Sequence, residues 1–287
     1  KYHNFSKGGI SVARFWIYRA AVFALVMATA GSIQAQAPWP HRIVKTPTGS
    51  TFALIGNSNI RHAPVIFFFG GRIDDVVQDP QVAQIEAAFG REPALFVTLD
   101  LPSHGIHQPP KEPNPLHDWR VRIERGDNFV IPFLKSVSEI LDYLVAEGYA
   151  DSHRVAVAGI SRGGYLALQF AAAEPRVRCI AAFAPVTDLL ALREFDGMDK
   201  NALAQSLSAL NLAQHLASRK ILILIGSTDY RVGTRNAILL HQQITQSALA
   251  QDLPPKAELR VGTTRGHHLE LYEYSAGGTW LAASLDH

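Results

Sequence analysis

Arg154-Val155-Ala156-Val157-Ala158-Gly159-Ile160-Ser161-Arg162-Gly163-Gly164-Tyr165-Leu166-Ala167-Leu168 is the stretch that decides the fold. A short run of β-branched residues and alanine leads into Gly-x-Ser-x-Gly, and a helix-forming segment follows, which is the order that a sharp strand-to-helix turn requires. A serine on such a turn is held in a strained backbone conformation with its hydroxyl above the sheet edge. Gly159 and Gly163 omit the side chains that would hold strand and helix apart. The helix opening at Arg162 aims its free N–H groups and the positive end of its dipole at the same place, so negative charge developing beside Ser161 would be stabilised. Ser161 is therefore expected to be a nucleophile, with the Arg162 N–H as half of an oxyanion hole.

The surrounding composition suits that reading. With 287 residues, 47% hydrophobic and 18% charged, the chain is long enough for one α/β domain with a large core. Lys1, Lys7, Arg14 and Arg19 precede residue 36 without any acid, which leaves 23 basic and 25 acidic groups in the rest. No block of like charge is present to hold nucleic acid. The single Cys179 permits no internal disulfide, and its place in an apolar run points to a buried, inert thiol.

Residues 1–37 read as an export signal, with residues 38–287 as the domain. Basic residues up to Arg19 precede the apolar run Ala20 to Gly31, and Ser32-Ile33-Gln34-Ala35-Gln36-Ala37 offers small-residue cleavage sites after Ala35 or Ala37. Twelve apolar residues are few for a bilayer span. An uncleaved anchor is the competing reading. The expectation is a periplasmic or secreted protein with no stable membrane insertion once the signal is removed.

Along the domain, Arg42 to Lys45 and Thr51 to Ile55 are expected to form an antiparallel pair at a sheet edge. Buried parallel strands are expected at Val65 to Phe69, Ala94 to Leu99, Val155 to Ala158, Cys179 to Phe183, Ile221 to Ile225 and Ala257 to Val261. Helical patterns lie between them at Pro80 to Phe89, Asp127 to Glu147, Gly163 to Ala173, Thr234 to Ala250 and Leu269 to Leu285. This alternation predicts a doubly wound, mostly parallel α/β sheet. Two segments fall outside it. Pro102 to Gly126, rich in proline, reads as a long irregular loop, and residues 188–217 as a cap-like helical insertion. Both would wall a pocket over the carboxyl ends of the strands.

A serine hydroxyl needs a base to take its proton and a carboxylate to hold that base in one tautomer. Asp229 follows the apolar run Ile221 to Ile225 and is the expected acid, with Asp188 as its rival. His267, in Thr263-Thr264-Arg265-Gly266-His267-His268, is the expected base, with His268 as the alternative. Gly70-Gly71-Arg72 follows a strand directly, so the Gly71 N–H, or that of Arg72, is expected to complete the oxyanion hole. His104 and His107 lack a third ligand at useful spacing, so a metal is not expected.

Gly159-Ile160-Ser161-Arg162-Gly163-Gly164-Tyr165, Asp100-Leu101-Pro102-Ser103-His104-Gly105, Asp229-Tyr230-Arg231-Val232 and Gly266-His267 together resemble an α/β-hydrolase-fold serine hydrolase. The resemblance covers nearly everything after residue 40. Its nearest branch is the one shared by dienelactone hydrolases and the catalytic domains of prolyl-oligopeptidase-type peptidases. It implies Ser161 as nucleophile, Asp229 as acid and His267 as base, acting without cofactor on a small-molecule carboxylic ester or thioester. Ser103 departs from the pattern, standing where the common loop has glycine. Peptidases of this kind carry a large propeller ahead of the catalytic domain, which turns the expectation towards esters. A small peptidase, an acyltransferase or an exported binding protein without reactivity would share the fold.

Overall fold

Why the central strands are hydrophobic at every position becomes plain from the layers they lie between. The computed structural model describes residues 40–56, 60–90, 93–112 and 114–285. The signal peptide expected over residues 1–37 lies outside the described residues. The strands are β1 (His41–Lys45), β2 (Thr51–Ile55), β3 (Ala63–Phe69), β4 (Leu95–Thr98), β5 (Ala150–Ile160), β6 (Val177–Phe183), β7 (Lys220–Thr228) and β8 (Ala257–Arg265). They form one sheet in the order β1-β2-β4-β3-β5-β6-β7-β8. The pairs β1–β2 and β2–β4 are antiparallel, and the remaining neighbours are parallel.

The helices are α1 (Ile73–Val76), α2 (Pro80–Ala87), α3 (Pro115–Glu124), α4 (Val130–Ala146), α5 (Arg162–Ala173), α6 (Ala202–Ser206), α7 (Ala213–Leu216), α8 (Thr234–Ala250) and α9 (Leu271–Leu285). One sheet face, with Val65, Phe67, Phe69, Val157 and Ile223, packs on α4, α5 and α8. The other, with Ile66, Phe68, Ala158, Phe183 and Leu224, packs on α2 and α9. Because successive residues point to opposite faces, a strand covered on both sides must be apolar at every position. Phe67, Phe68 and Phe69 are all fully buried, each contributing roughly 1.5–3 kcal/mol of transfer free energy.

Strand order fixes where a ligand can bind. From β3 the chain moves outward to β4 and then returns across β3 to β5. The loops leaving the adjacent ends of β3 and β5 therefore diverge and open a crevice there.

Three expectations need correction. The segment 102–126 contains a 3-10 turn at Gly105–His107 and the helix α3. Pro115 sits in the first turn of α3, and Asn114 caps it by accepting from the N–H groups of Leu116 and His117. Proline there starts a helix instead of preventing one. The insertion 188–217 is a chain of one-turn pieces, with α6 and α7 its only α-helical turns among the described residues. It is tied to α5 through the Leu207 carbonyl, which accepts from Tyr165 Oη and Gln169 Nε2. Finally, β8 is the sheet edge, and Val261 is 47% exposed, so it is not a strand buried on both faces.

Candidate active site

Ser161 links β5 to α5 with φ 56° and ψ −116°. Few non-glycine residues adopt such a backbone, and the surroundings hold it there. Its N–H donates to the Phe183 carbonyl at 2.8 Å, and its own carbonyl accepts from Tyr165 and Val186. A Cβ on Gly159 would stand 2.4 Å from the backbone of Gly163, so only glycine allows this crossing.

Two more strand ends bring the partners. Asp229 directly follows β7, its side chain fully buried, and its Oδ1 accepts from the N–H groups of Arg231 and Val232. His267 follows β8 after Gly266, whose φ of 68° turns the chain back over the sheet edge. His267 Nδ1 lies 2.8 Å from Asp229 Oδ2, and Nε2 lies 2.9 Å from Ser161 Oγ. The carboxylate can only accept, so Nδ1 carries the proton and Nε2 is left to accept from the hydroxyl. Burial would raise the Asp229 pKa, but the His267 and backbone hydrogen bonds prevail and hold it below the usual carboxylate value.

The alternatives lie elsewhere. Asp188 accepts from the Leu190 N–H and caps a 3-10 turn. His268 faces the exposed carboxylate of Glu270 at 3.7 Å. Cys179 is buried, and that burial pushes its thiol up to about 12.

Gly71 leaves the end of β3 alongside the elbow, because Phe69 is paired with Gly159 across the two strands. Its carbonyl accepts from the Leu101 N–H at 3.0 Å. Asp100 stitches the two loops together, Oδ1 accepting from the Ile73 N–H and Oδ2 from the Ile106 N–H. Arg162 opens α5, so its N–H has no partner within the helix. The residues expected to supply the two oxyanion N–H groups thus stand just beyond the strand end that pairs with β5 and at the first turn after Ser161. Arg72 caps α1 from the same loop, and its side chain pairs with Asp74 near solvent.

Sequence reasoning missed what stands behind this loop. His104 is buried, its Nδ1 lies 2.8 Å from the Pro102 carbonyl, and its Cδ2 would be 3.7 Å from a Cβ on Gly71. The carbonyl must accept, so Nδ1 is protonated; Nε2 is buried with no hydrogen-bond partner. Burial first, and then the Arg162 charge, lower its pKa to about 4. Also missed was Glu194 of the insertion, whose Oε1 lies 2.7 Å from Arg231 Nη2. Both depend on contacts between distant parts of the chain, with no local sequence signal. Among the described residues no group of His, Cys, Asp and Glu could hold a metal, and no helix is long and apolar enough to cross a membrane.

A serine, a histidine and a carboxylate joined in a row at the carboxyl edge of a mostly parallel sheet define the molecule as a serine hydrolase of the α/β-hydrolase fold. Residues 134–286 match the prolyl oligopeptidase family, and the chain belongs to that family. The resemblance seen in its motifs therefore holds. No curated protein sequence matches the chain.

Solved structures share the fold at low identity. An S-formylglutathione hydrolase from Agrobacterium tumefaciens is 19% identical with a TM-score of 0.62, over 85% of this chain and 94% of its own. An esterase from Pyrococcus furiosus is 15% identical with a TM-score of 0.60, over 86% of this chain and 93% of its own. Dipeptidyl peptidase 4 from Porphyromonas gingivalis is 15% identical with a TM-score of 0.61, over 85% of this chain. The chain spans only 35% of that peptidase's length.

Proposed function

We propose that the protein hydrolyses a carboxylic ester or thioester of a small molecule through an acyl-enzyme, without a cofactor. The observation that carries this reading is the hydrogen-bonded row Ser161 Oγ, His267 and Asp229, at 2.9 and 2.8 Å. Ser161 Oγ attacks the carbonyl carbon as its proton passes to His267 Nε2. Asp229 orients the ring and stabilises the imidazolium, while the Gly71 and Arg162 N–H groups hold the oxyanion. As the tetrahedral intermediate collapses, the bond to the alcohol or thiol breaks and His267 returns the proton to the leaving group. Water then attacks the acyl carbon, again with His267 as base, and Ser161 is regenerated.

Replacing Ser161 by alanine is expected to abolish turnover of 4-nitrophenyl acyl esters while the melting temperature is kept. A Ser161→Ala protein that hydrolyses them at the wild-type rate contradicts the reading. Amide cleavage would use the same groups, and membership of the prolyl oligopeptidase family favours it as the second reading. A panel of aminoacyl 4-nitroanilides beside the esters separates the two. Export belongs to the proposal as well, resting on the N-terminal sequence, and fractionation of the producing cell tests it.

A further inference from the structure

The turn that carries Asp229 is buried on one side and open on the other. Gly233 and Thr234 donate to the Asp229 carbonyl, Thr234 Oγ1 donates to the Gly226 carbonyl at 2.6 Å, and Val232 is buried. Tyr230, by contrast, is 89% exposed. The peptide between Tyr230 and Arg231 therefore gains no hold from a packed side chain at 230. Yet its N–H is one of the two that fix Asp229 Oδ1, at 2.9 Å.

What holds that peptide is the side chain of Arg231, and the residue that grips it comes from the insertion 188–217. Arg231 Nη2 donates to Glu194 Oε1 at 2.7 Å, and the two side chains are 28% and 9% exposed. Glu194 is fixed in turn from a third element. Arg120 of α3 donates through Nη1 to the carbonyls of Glu194 and Asp196, at 3.0 and 2.9 Å, and Phe195 between them is buried. Arg193 Nε is farther from Glu194 Oε1, at 3.7 Å, and its side chain faces solvent. Burial would raise the Glu194 pKa, but the hydrogen bond from Arg231 prevails and holds it below the usual carboxylate value. The pair is therefore charged at neutral pH. An ion pair taken this far out of water stabilises a fold little more than apolar side chains of like volume, because desolvation offsets the attraction. Glu194 Oε2 is even left buried without a hydrogen-bond partner among the described residues. What the pair does supply is a fixed direction for the Arg231 side chain.

We propose that Glu194 is a positioning residue of the triad: it grips Arg231, whose N–H stays on Asp229 Oδ1, and Oδ2 is thereby kept on His267 Nδ1. Glu194 touches neither the substrate nor the reacting atoms. The inference rests on the hydrolase reading above and deepens it, because it joins the insertion to the proton path. The imidazolium forms only as the Ser161 proton moves, so loosening Asp229 slows turnover and leaves substrate binding unaltered.

The test is kcat for 4-nitrophenyl butyrate per active site, with sites counted by fluorophosphonate labelling carried to completion so that unfolded protein drops out. Glu194→Leu keeps the volume but cannot accept a hydrogen bond. Arg231→Met removes the guanidinium and leaves the backbone N–H. Each should lower kcat per site by about ten- to a hundredfold, as for a small misplacement of catalytic groups, with KM changed by less than about twofold. Glu194→Gln, whose amide oxygen can accept from Nη2, should recover part of the loss. The double variant should be no slower than the slower single one, because both substitutions cut the same link.

An unchanged kcat per site in Glu194→Leu, even with a lower melting temperature, overturns the proposal and leaves the hydrolase reading standing. So does a rise in KM as the main effect, or a double variant in which the two losses multiply. Should Glu194→Leu not fold, Arg231→Met and Glu194→Gln carry the same comparison. Labelling of Ser161 without turnover of the ester moves the comparison to the second-order rate of labelling, where the same ratios are expected and equal rates overturn the proposal. A wild type neither labelled nor active removes the hydrolase reading, and this inference with it.

Discussion

Gly163 lies so close to the end of β3 that a Cβ on it would stand 1.8 Å from the carbonyl oxygen of Phe69. This contact locks the start of α5 onto the strand that delivers Gly71. The proposed nucleophile and the proposed second oxyanion donor are therefore held by one backbone junction. The atom in the way is main chain, so it cannot rotate aside as a flexible side chain would.

Gly163→Ala should accordingly destabilise the fold by at least about 3 kcal/mol, at the upper end of overpacking costs. Urea unfolding would register this as a lower midpoint. A midpoint equal to that of the wild type would mean that helix α5 and strand β3 do not approach this closely.

Asp229→Asn keeps an oxygen for the Arg231 and Val232 N–H groups but turns a donor towards His267. Nδ1 must then accept, Nε2 becomes protonated, and the imidazole can no longer take the Ser161 proton. The expected loss is on the order of 10⁴ in kcat. Steady-state kinetics on an activated ester measures it, and a loss below tenfold would deny Asp229 its orienting part.

His104 sets a pH dependence. Unfolded, its imidazole binds a proton near the ordinary value of 6.5; folded, burial and Arg162 hold it to about 4. Between those values only the unfolded state takes up the proton. Stability is therefore complete above about pH 6.5, falls as the pH drops towards 4, and loses no more through this group below that. Asp229, held below its usual value by His267 and the backbone, adds stability that is present above pH 3.8 and lost at still lower pH, as it protonates. An NMR titration should find the His104 ring midpoint near pH 4. A midpoint near 6.5 would show the ring to be hydrated.

Ser103 occupies a left-handed conformation, φ 64°, where glycine would be at ease. Its hydroxyl is fully buried and donates to Asp118 Oδ2. Ser103→Gly relieves roughly 1 kcal/mol of backbone strain but adds roughly as much unfolded-state entropy. The loss of a charge-assisted hydrogen bond, about 1.5–3 kcal/mol, then decides the sign. The variant should be less stable by about 1.5–3 kcal/mol in thermal or urea melts, and a more stable variant would reverse this weighing.

The layered fold was legible because burial on both faces writes itself into the strands, as in Val65 to Phe69 and Ile221 to Ile225. Nothing local marks the order in which those strands associate, so β4 beside β2 and β8 at the edge emerged only from the structure. Within the site, Ser161, Asp229 and His267 each follow a strand, which made them readable one at a time. Their hydrogen bonds join residues 38 and 106 positions apart. His104 behind Gly71 and Glu194 against Arg231 carry no such mark. One sits in a proline-rich segment that reads as loop, the other in an insertion with no sustained period.

The nucleophile is tested most directly by intact-mass spectrometry after exposure to a fluorophosphonate, followed by peptide mapping. The account predicts one stoichiometric adduct, on Ser161, and none on Ser161→Ala. An unmodified wild type, or an adduct that persists undiminished in the alanine variant, would contradict it.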